Sequence, residues 1–544
     1  MSRIRRGARW MVGASLGVLV VVALAALWVR STPRPAVATV PAGGASNADL
    51  DDFVRDQAAT LGLPGIAVVV VKDDVPSYAG LFGVDASGRP VAGDSQFVLG
   101  STSKQFTGLA VQRLISEGRL SLDSKVSEVL PAFAAATGPA AGLTVGRLLS
   151  HNSGYSTARG LEQWGWQPDR PNSIQENAAT LASDRPDRPP GSGFEYSNAN
   201  FDLLGAIVED VTGQPFAEAM RDLVFAPLGL EHTSAAGSLA GQDPGYHTWF
   251  GAVSLRTWAP DTPGAVPSSM MTSTADDLTR LVQAHLRPDT ATPGPDVLQA
   301  SRAPLVRVNE YSQYASGWFV RPLWEEHALN ADWSDPSLPQ CVLHDGRAYR
   351  SMSFLLACPE IGFGIVALTD AGAGADPDRW TQFQQDLVHL VLGTESIQLD
   401  RDPVQAHAGV VMLGTIAAQA FAVALLVIAV RRRRRVTLWA VLAWTVGIAA
   451  LWLAWAYAPT VGGSVTPLPA LWALIPDLAL STIICTVLAA ATLILTITAI
   501  ARHRSRRDRV DGTTREEGDD LHKRKPHGRV TRRACCARVR RGLT

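Results

Sequence analysis

The most diagnostic segment of the chain reads Phe97-Val-Leu-Gly-Ser101-Thr-Ser-Lys104-Gln-Phe-Thr-Gly108. Apolar residues continue from it at helical spacing through residue 114, so a helix is expected to open near Ser103. Ser101 and Lys104 are three residues apart at the head of that helix, which places their side chains on one face. The helix N-terminus adds a positive potential where an oxyanion would form. The spacing therefore predicts a serine nucleophile with a lysine beside it.

The lysine in this stretch is informative because the chain otherwise uses arginine. Between the first and last apolar runs the only lysines are Lys72, Lys104 and Lys125. Arginine keeps its proton in proteins, whereas a buried lysine can lose its proton and then activate a serine for attack. The alternative is a capping serine beside a solvated lysine, which is the usual interpretation of an isolated S-x-x-K match.

Two later segments carry polar side chains that could complete a site. Tyr196-Ser-Asn198 follows a Pro/Gly turn at the start of a helical pattern. There a phenol could carry a proton to or from the serine oxygen, and an amide could hold substrate or lysine. His344-Asp345-Gly346 ends an expected strand, where side chain and backbone could face a cleft. Alone, each signal is weak, because Y-x-N is a common tripeptide and a strand-end histidine is more often structural.

Residues 49–400 are expected to form one large domain. A β-branched run at 65–71 predicts an early strand, and residues 78–83 could pair with it as a second one. Helical patterns dominate the middle, and strands return late. Strands at both ends with helices between predict one antiparallel sheet joined by both termini and flanked by a helical lobe. The expected helices are 103–117, 197–212 and 274–285, and the expected late strands are 315–320, 340–344, 352–358 and 363–369.

Taken in order, S-x-x-K, Y-x-N and H-x-G resemble the class C β-lactamase and penicillin-binding-protein-like serine hydrolases. That group includes β-lactamases, DD-peptidases, D-aminopeptidases and esterases. The resemblance covers about residues 48–399 and is reinforced by Leu148-Leu-Ser-His151-Asn-Ser-Gly154, whose histidine we interpret as structural. It implies an α/β (α+β) serine β-lactamase/DD-peptidase-like fold, with an antiparallel sheet and a helical lobe.

The resemblance also implies a role for each motif residue. Ser101 would be the acylated nucleophile, Lys104 its activating amine and Tyr196 the proton shuttle. The backbone N–H groups of Ser101 and Arg347 would form the oxyanion hole, and His344 would take the place of the lysine in a K-T-G motif. No Cys/His group has metal-ligand spacing, so no metal and no cofactor are expected. The implied substrate-binding residues are Asn198, His344, Gly346 and Arg347.

One residue departs from the pattern of the group. The middle of the strand motif is usually Thr or Ser, which helps to hold a substrate carboxylate, but here it is Asp345. An aspartate should repel a carboxylate, although Arg347 and Arg350 nearby could offset it. The departure favours an ester, or an amide without a free carboxylate, unless Asp345 points away from the cleft.

Four apolar runs predict membrane spans: Trp10 to Val29, Gly409 to Val430, Leu438 to Tyr457 and about Leu480 to Ala501. Arginines precede the first run and follow the second and fourth, so the positive-inside rule places the long middle segment outside. A cleaved signal peptide remains an alternative for the first run, and buried core helices for the others. The expected segments are a cytoplasmic N-terminus and anchor at 1–31, a linker at 32–48, the extracytoplasmic domain at 49–400, a three-helix membrane region at 401–501 and a basic cytoplasmic tail at 502–544.

Charge and cysteines agree with a bacterial cell-membrane protein of several spans. Acidic residues predominate between 35 and 430 and basic residues in the remainder, which suits an anionic inner leaflet and argues against nucleic acid as a partner. The expected partners are the membrane and a small-molecule or peptide-like substrate. Cys341 and Cys358 would lie opposite each other if the turn between them centres near Tyr349, either as a disulfide or as two buried thiols.

Two functions follow from these patterns. The first is a membrane-anchored, extracytoplasmic serine hydrolase that works through an acyl-enzyme on an ester or amide. The second is a ligand- or β-lactam-binding sensor that signals through the C-terminal membrane helices. A complete set of Ser101, Lys104 and Tyr196 favours the hydrolase, and Asp345 with the attached helices keeps the sensor open.

Overall fold

The computed structural model describes most of the chain between Ala45 and His522. The first and third expected membrane runs, most of the linker and the end of the tail lie outside the described residues. The described ranges are 45–162, 173–236, 245–250, 253–257, 262–288, 294–310, 312–322, 339–372, 378–394, 408–431 and 475–522.

An eight-stranded antiparallel sheet organises the domain, in the order β2-β1-β12-β11-β10-β9-β8-β7. Strand β1 joins the early and late segments of the domain, because it pairs with β2 on one side and with the late strand β12 on the other. The predicted sheet, joined by both termini, is confirmed. The strands are β1 Gly65–Lys72, β2 Val75–Gly83, β3 Phe97–Val98, β4 Tyr246–Trp249, β5 Val253–Arg256, β6 Thr272–Ser273, β7 Val306–Arg307, β8 Gln313–Tyr314, β9 Phe319–Pro322, β10 Gln340–Arg347, β11 Met352–Cys358, β12 Phe363–Thr369 and β13 Ala371–Gly372.

Helices cover both faces of the sheet. They are α1 Asn47–Leu61, α2 Ser103–Ser116, α3 Val126–Val129, α4 Val145–Leu149, α5 Thr157–Glu162, α6 Ile174–Ser183, α7 Asn198–Thr212, α8 Phe216–Met220, α9 Ala226–Leu228, α10 Ala275–Leu286, α11 Pro295–Arg302, α12 Asp378–Leu392, α13 Ala408–Arg431 and α14 Pro476–His522. Short 3-10 or π turns lie at Gly100–Thr102, Pro131–Phe133, Gly138–Gly142, Arg221–Phe225, Pro263–Ala265, Val266–Met270 and Pro359–Ile361.

Burial on both faces explains why β1 is a continuous apolar run rather than an alternating one. Ile66, Val68 and Val70 belong to the core formed with α1 and α12. Ala67 and Val69 point to the opposite face and belong to the larger core of the helical lobe. Because successive side chains alternate between faces, one strand supplies both cores.

The helical lobe is built around α2 and α7. Every residue of α7 from Asn198 to Val208 is buried, and α2 is buried from Ser103 to Gln112. Two neighbouring helices that are buried nearly all round must place their polar residues against each other or against the surrounding loops. The S-x-x-K and Y-x-N motifs lie at the N-terminal ends of these two helices.

The single strand predicted over residues 315–320 is wrong. Two short strands, β8 and β9, are joined there by a tight turn in which the Ala315 N–H donates to Trp318 O at 2.8 Å. Gly317 adopts a φ of +91° in this turn. A Cβ on Gly317 would lie 2.5 Å from Lys104 O, so the turn packs directly against the first turn of α2. The apolar pattern alone could not reveal that close approach.

Cys341 and Cys358 form a disulfide between β10 and β11. The two strands are antiparallel, and Val342 pairs with Ala357, which sets the cysteines opposite each other. The connecting turn closes with a hydrogen bond from the Ala348 N–H to Ser351 O at 3.0 Å. Of the two alternatives, the structure therefore contains the disulfide and not two buried thiols.

Two described helices are long and apolar enough to cross a membrane by length and composition, at Ala408–Ile428 and Pro476–Thr498. They correspond to the second and fourth expected runs. The described residues divide into two compact units, one within 45–418 and 475–486 and the other within 419–431 and 487–522. The first unit contains the sheet, the helical lobe and the beginnings of both apolar helices.

Candidate active site

The Ser101 and Lys104 side chains meet where the helical lobe joins the sheet. Ser101 lies in the 3-10 turn Gly100–Thr102, which runs directly into α2, and Lys104 lies in the first turn of that helix. Lys104 Nζ is 3.1 Å from Ser101 Oγ, and the lysine side chain is fully buried. A buried amine therefore stands within hydrogen-bond distance of a serine hydroxyl.

Two further acceptors surround the Lys104 amine. Lys104 Nζ donates to Asn198 Oδ1 at 2.7 Å and to the Ser268 carbonyl oxygen at 2.8 Å. A neutral amine has two N–H bonds and one lone pair. With both N–H groups directed at Asn198 and Ser268, the lone pair is left to face Ser101, where it can accept the hydroxyl proton. The arrangement suits a neutral base.

Burial lowers the pKa of Lys104 to about 7, because an ammonium ion loses its hydration there. The carboxylates of Asp202 and Asp345 oppose this effect and raise the pKa. A lysine with a pKa near 7 is neutral in a large fraction of molecules at neutral pH. Burial thus converts an ordinary cation into a group able to take a proton from Ser101.

Tyr196 packs against the same amine. Its ring centroid lies 4.8 Å from Lys104 Nζ, and its hydroxyl faces Ser101 without completing a hydrogen bond of good geometry among the described residues. Burial raises the pKa of Tyr196, so the phenol keeps its proton at neutral pH. It can therefore act as a proton donor toward the serine oxygen or a leaving group.

The His151 ring packs against the Tyr196 ring. The two ring centroids are 4.4 Å apart, and His151 Nδ1 accepts the Ser197 N–H at 3.2 Å. Burial, together with the nearby Lys104 and His344, lowers the pKa of His151 well below its usual value, so the ring is neutral. Its contacts hold the Tyr196 segment in place, as a structural role requires.

Strand β10 presses against the turn that bears Ser101. A Cβ on Gly346 would lie 1.9 Å from Leu99 O, so only glycine allows the approach. Gly100 has a φ of +57°, and a Cβ there would lie 2.4 Å from Arg347 N. The Arg347 N–H, expected to share an oxyanion hole with that of Ser101, thus lies at this contact.

His344 is buried beside Tyr196 and Tyr314. Its Nδ1 lies 2.6 Å from the Asp345 carbonyl oxygen, which can only accept, so Nδ1 carries the proton. The other nitrogen, Nε2, lies 3.4 Å from Tyr314 Oη. Burial lowers the pKa of His344 to about 4, against an opposing effect of Asp345, so the imidazole is neutral at pH 7. It offers no positive charge to a substrate carboxylate.

Asp345 pairs with one of the two arginines expected to offset it. Arg347 Nε lies 3.2 Å from Asp345 Oδ2, with both side chains about one-third exposed, at 35% and 37%. Arg347 also donates to Thr381 Oγ1 at 3.0 Å. Arg350 is buried and its Nη1 donates to the Tyr349 carbonyl oxygen. Asp345 and Arg347 together therefore present a nearly neutral pair.

Sequence reasoning missed two groups that contact the lysine environment. Ser268 lies in the irregular turn Val266–Met270, and its carbonyl oxygen binds Lys104. Asp202 lies fully buried one helical turn beyond Asn198. An aspartate within the otherwise apolar helical run 201–208 was a usable signal, whereas nothing in the sequence marked the Ser268 carbonyl. Among the described residues no group of three or more His, Cys, Asp or Glu side chains could hold a metal ion.

The sheet, the lobe and the placement of these motifs define a serine β-lactamase and penicillin-binding-protein type of fold. Comparisons with known proteins agree. A family model described as Beta-lactamase matches residues 50–388, and the chain belongs to that family.

Among relatives, Penicillin-binding protein 4 of Amycolatopsis lactamdurans is 31% identical over 347 residues, covering 61% of this chain and 85% of that protein. Protein flp of Staphylococcus aureus (strain MW2) is 27% identical over 395 residues, covering 69% and 74%. A solved structure described as the octameric penicillin-binding protein homologue from Pyrococcus abyssi superimposes with a TM-score of 0.54 at 21% identity, over 69% of this chain and 82% of that one. This last likeness concerns the fold.

Proposed function

We propose that the protein is a membrane-anchored serine hydrolase that works through an acyl-enzyme on an ester or amide outside the membrane. The observation that carries the proposal is the buried Lys104 amine, 3.1 Å from Ser101 Oγ and with its N–H groups directed at two other acceptors. A serine hydroxyl becomes a useful nucleophile only when a nearby base removes its proton, and this amine is placed to do so.

Acylation begins when Ser101 Oγ attacks the substrate carbonyl carbon and its proton passes to Lys104 Nζ. The carbonyl oxygen becomes an oxyanion, which the N–H groups of Ser101 and Arg347 stabilise at the head of α2. As the tetrahedral intermediate collapses, the bond to the leaving group breaks. Tyr196 gives its proton to the leaving oxygen or nitrogen and recovers one from Lys104. Tyr196 and Lys104 thereby return to their starting protonation states, and Ser101 carries the acyl group.

Deacylation repeats these steps with water. A water oxygen attacks the acyl carbon while the water gives a proton to the Tyr196 hydroxyl, which passes its own proton on to the neutral Lys104 amine. The same two N–H groups stabilise the new oxyanion. The ester bond to Ser101 Oγ then breaks as Lys104 returns a proton to the serine oxygen. Asn198 holds Lys104 through Oδ1, which leaves its amide Nδ2 for a polar group of the substrate.

The strand motif favours a substrate without a free carboxylate at that position. His344 is neutral, and the only carboxylate in the motif, Asp345, is paired with Arg347. Neither group offers the net positive charge that would attract an anion. Esters and uncharged amides therefore suit the site better than β-lactams or C-terminal peptides, whose recognition uses a carboxylate.

The expected location rests on the apolar helices and the charge pattern. Helices Ala408–Ile428 and Pro476–Thr498 support attachment to a membrane, and the basic residues that follow each of them support an inside position for those ends. The disulfide between Cys341 and Cys358 supports an oxidising compartment for the domain. The membrane and a small or peptide-like substrate are the proposed partners.

One observation favours the sensor as a second function. Asp477, in the first turn of α14, is buried; its Oδ1 lies 3.2 Å from His247 Nε2, and its Oδ2 accepts the Phe250 N–H at 2.9 Å. These contacts join the β4 hairpin to the beginning of an apolar helix. Such a connection would transmit a change in the domain to that helix.

Turnover separates the two functions. The purified full-length chain in detergent is given a neutral ester, p-nitrophenyl butyrate, beside a Ser101→Ala variant. The hydrolase releases many equivalents of product per chain and the variant none. Release of a single equivalent, followed by a stable acyl-enzyme, would instead support the sensor, and equal turnover by Ser101→Ala would contradict both.

A further inference from the structure

A buried carboxylate lies close to the Lys104 amine. Asn198, which accepts a hydrogen bond from Lys104, and Asp202 are four residues apart on α7, so their side chains lie on the same helix face. The Ser268 hydroxyl and N–H face Asp202, and the Ser268 carbonyl oxygen binds Lys104 Nζ at 2.8 Å. Asp202 is therefore held next to the amine although the two do not form a hydrogen bond.

Asp202 is a buried carboxyl group whose hydrogen bonding is incomplete. The side chain is fully buried, and neither carboxylate oxygen completes a hydrogen bond with a described residue. The Ser268 hydroxyl and N–H face it and favour its charged form, as does Lys104, but burial dominates and raises the pKa of Asp202 to about 7. A buried carboxyl group with incomplete hydrogen bonding costs stability, so its presence beside Lys104 points to a role in the site.

The other titratable groups that face Lys104 do not supply a net negative charge. His151 and His344 are neutral because burial lowers the pKa of each. Tyr196 keeps its proton because burial raises its pKa. Asp345 does raise the pKa of Lys104, but it is partly exposed and paired with Arg347.

We infer that Asp202 is the counter-ion of the catalytic lysine. When Ser101 attacks, Lys104 becomes an ammonium ion in a site closed to water, and the Asp202 carboxylate is the charge that balances it. Asp202 touches neither Ser101 nor the substrate, so it is a positioning residue that sets how readily Lys104 holds a proton. This inference rests on the proposed function.

The inference predicts a change in the pH dependence of catalysis. An opposite charge nearby favours the protonated amine, typically by about 1 to 3 pH units. Replacing Asp202 by an uncharged residue lowers the pKa of Lys104, so Lys104 becomes neutral at lower pH. The acidic limb of the kcat/KM profile then moves to lower pH by about 1 unit or more. The plateau value of kcat/KM also falls, because a weaker base takes the serine proton less readily.

The experiment compares Asp202→Asn with Asp370→Asn in the full-length chain. Asp370 is a matched control: it is buried, burial raises its pKa to about 7, and it accepts the Ala86 N–H at 2.9 Å rather than facing Lys104. The profile is measured with p-nitrophenyl butyrate and, separately, as the rate of fluorophosphonate labelling. Asp202→Ser repeats the test with a smaller neutral side chain, in case the Asp202→Asn variant does not fold.

A shift of the acidic limb in Asp202→Asn or Asp202→Ser, with none in Asp370→Asn, is the expected result. An unshifted limb in a folded Asp202 variant overturns the inference, as does an equal shift in Asp370→Asn. A wild-type chain that turns over the ester while Ser101→Ala does not, combined with an unshifted limb, leaves the proposed function standing and removes only the role of Asp202.

Discussion

Lys104 shows how a single buried residue acquires its chemistry from its surroundings. Its stem lies inside the helical lobe, its N–H groups are directed at Asn198 and Ser268, and burial lowers its pKa to about 7. An arginine at the same place would remain a cation at any accessible pH. The identity of the side chain therefore matters beyond its charge and length.

Replacing Lys104 by arginine is expected to lower kcat/KM for p-nitrophenyl butyrate by about 100- to 10,000-fold, the usual contribution of a general base. The control is Lys125→Arg, at an exposed lysine that pairs with Glu128 at 3.5 Å and should keep full activity. Steady-state kinetics on both variants makes the comparison. Near-normal activity in Lys104→Arg would mean that another group accepts the serine proton.

Asp345 is expected to select among substrates by charge through its pairing with Arg347. Asp345→Thr frees the guanidinium, which should raise kcat/KM for a carboxylate-bearing β-lactam about 5- to 30-fold relative to a neutral ester, since the groups are partly exposed and screened. Both substrates are measured with the same preparation. Equal changes for the two substrates would show that the pair does not act on substrate charge.

The spacing of Ser101 and Lys104, together with the family that the ordered motifs resemble, singled out Ser101, Lys104, Tyr196 and His344, and the structure brings these side chains into one region. It was not enough to find Asp202 or the Ser268 carbonyl. A helix pattern tells which face is buried but not which neighbouring loop closes over it. Backbone acceptors carry no sequence signal at all.

At the scale of elements, the turn before α2 is fixed by strand β11 as well as by β10. Ser353 Oγ donates to Leu99 O at 2.6 Å, and Thr102 Oγ1 lies 2.9 Å from the same hydroxyl. Ser351 Oγ donates to Val98 O at 2.5 Å. Ser101, the proposed nucleophile, thus lies in a turn whose carbonyl groups are bound to the sheet, which fixes its position relative to the proposed oxyanion N–H groups.

The close contact between Gly346 and this turn predicts a sensitive position. Gly346→Ala places a Cβ 1.9 Å from Leu99 O, so the strand or the turn must move. Such overpacking costs about 1 to 3 kcal/mol of unfolding free energy and should displace the oxyanion N–H groups, lowering kcat as well. Gly142→Ala is the control, because its nearest neighbour is a flexible Arg147 nitrogen at 3.6 Å. Thermal unfolding and kinetics that do not distinguish the two variants would contradict this account.

The three expected helices and the five longest strands followed from apolar periodicity and from the turn residues that bound them, whereas the other helices and strands of the domain were not predicted. The failure at 315–320 has a physical cause. Gly317 is needed where the chain passes within contact distance of the Lys104 backbone, and a long-range approach of that kind leaves only a glycine as its trace. One glycine in an apolar run is consistent with a strand or a turn.

At the scale of the whole molecule, the disulfide offers a test of the proposed position outside the membrane. In intact cells whose free thiols are blocked before lysis, the peptides of Cys341 and Cys358 should be recovered joined, because an oxidising compartment preserves the bond. Cys485, the free cysteine among the described residues, is buried and gives the comparison after denaturation. Complete alkylation of both domain cysteines by mass spectrometry would place the domain in a reducing compartment.

The order of the apolar runs and their basic flanks predicted the two described membrane-type helices. What the sequence could not provide was the buried contact of Asp477 with His247, which lie 230 residues apart. Contacts at such separation depend on the folded arrangement of the domain. They leave no local pattern, since each residue alone resembles a surface group.

The central claim, that Ser101 is a nucleophile activated by Lys104, is tested most directly by mapping the site of covalent labelling. The full-length chain is treated with a fluorophosphonate, digested and analysed by mass spectrometry, beside the Ser101→Ala and Lys104→Arg variants. We predict that the label is found on Ser101 alone, that it is absent from Ser101→Ala, and that it forms far more slowly in Lys104→Arg. Labelling of any other serine, or an undiminished rate in Lys104→Arg, would contradict the claim.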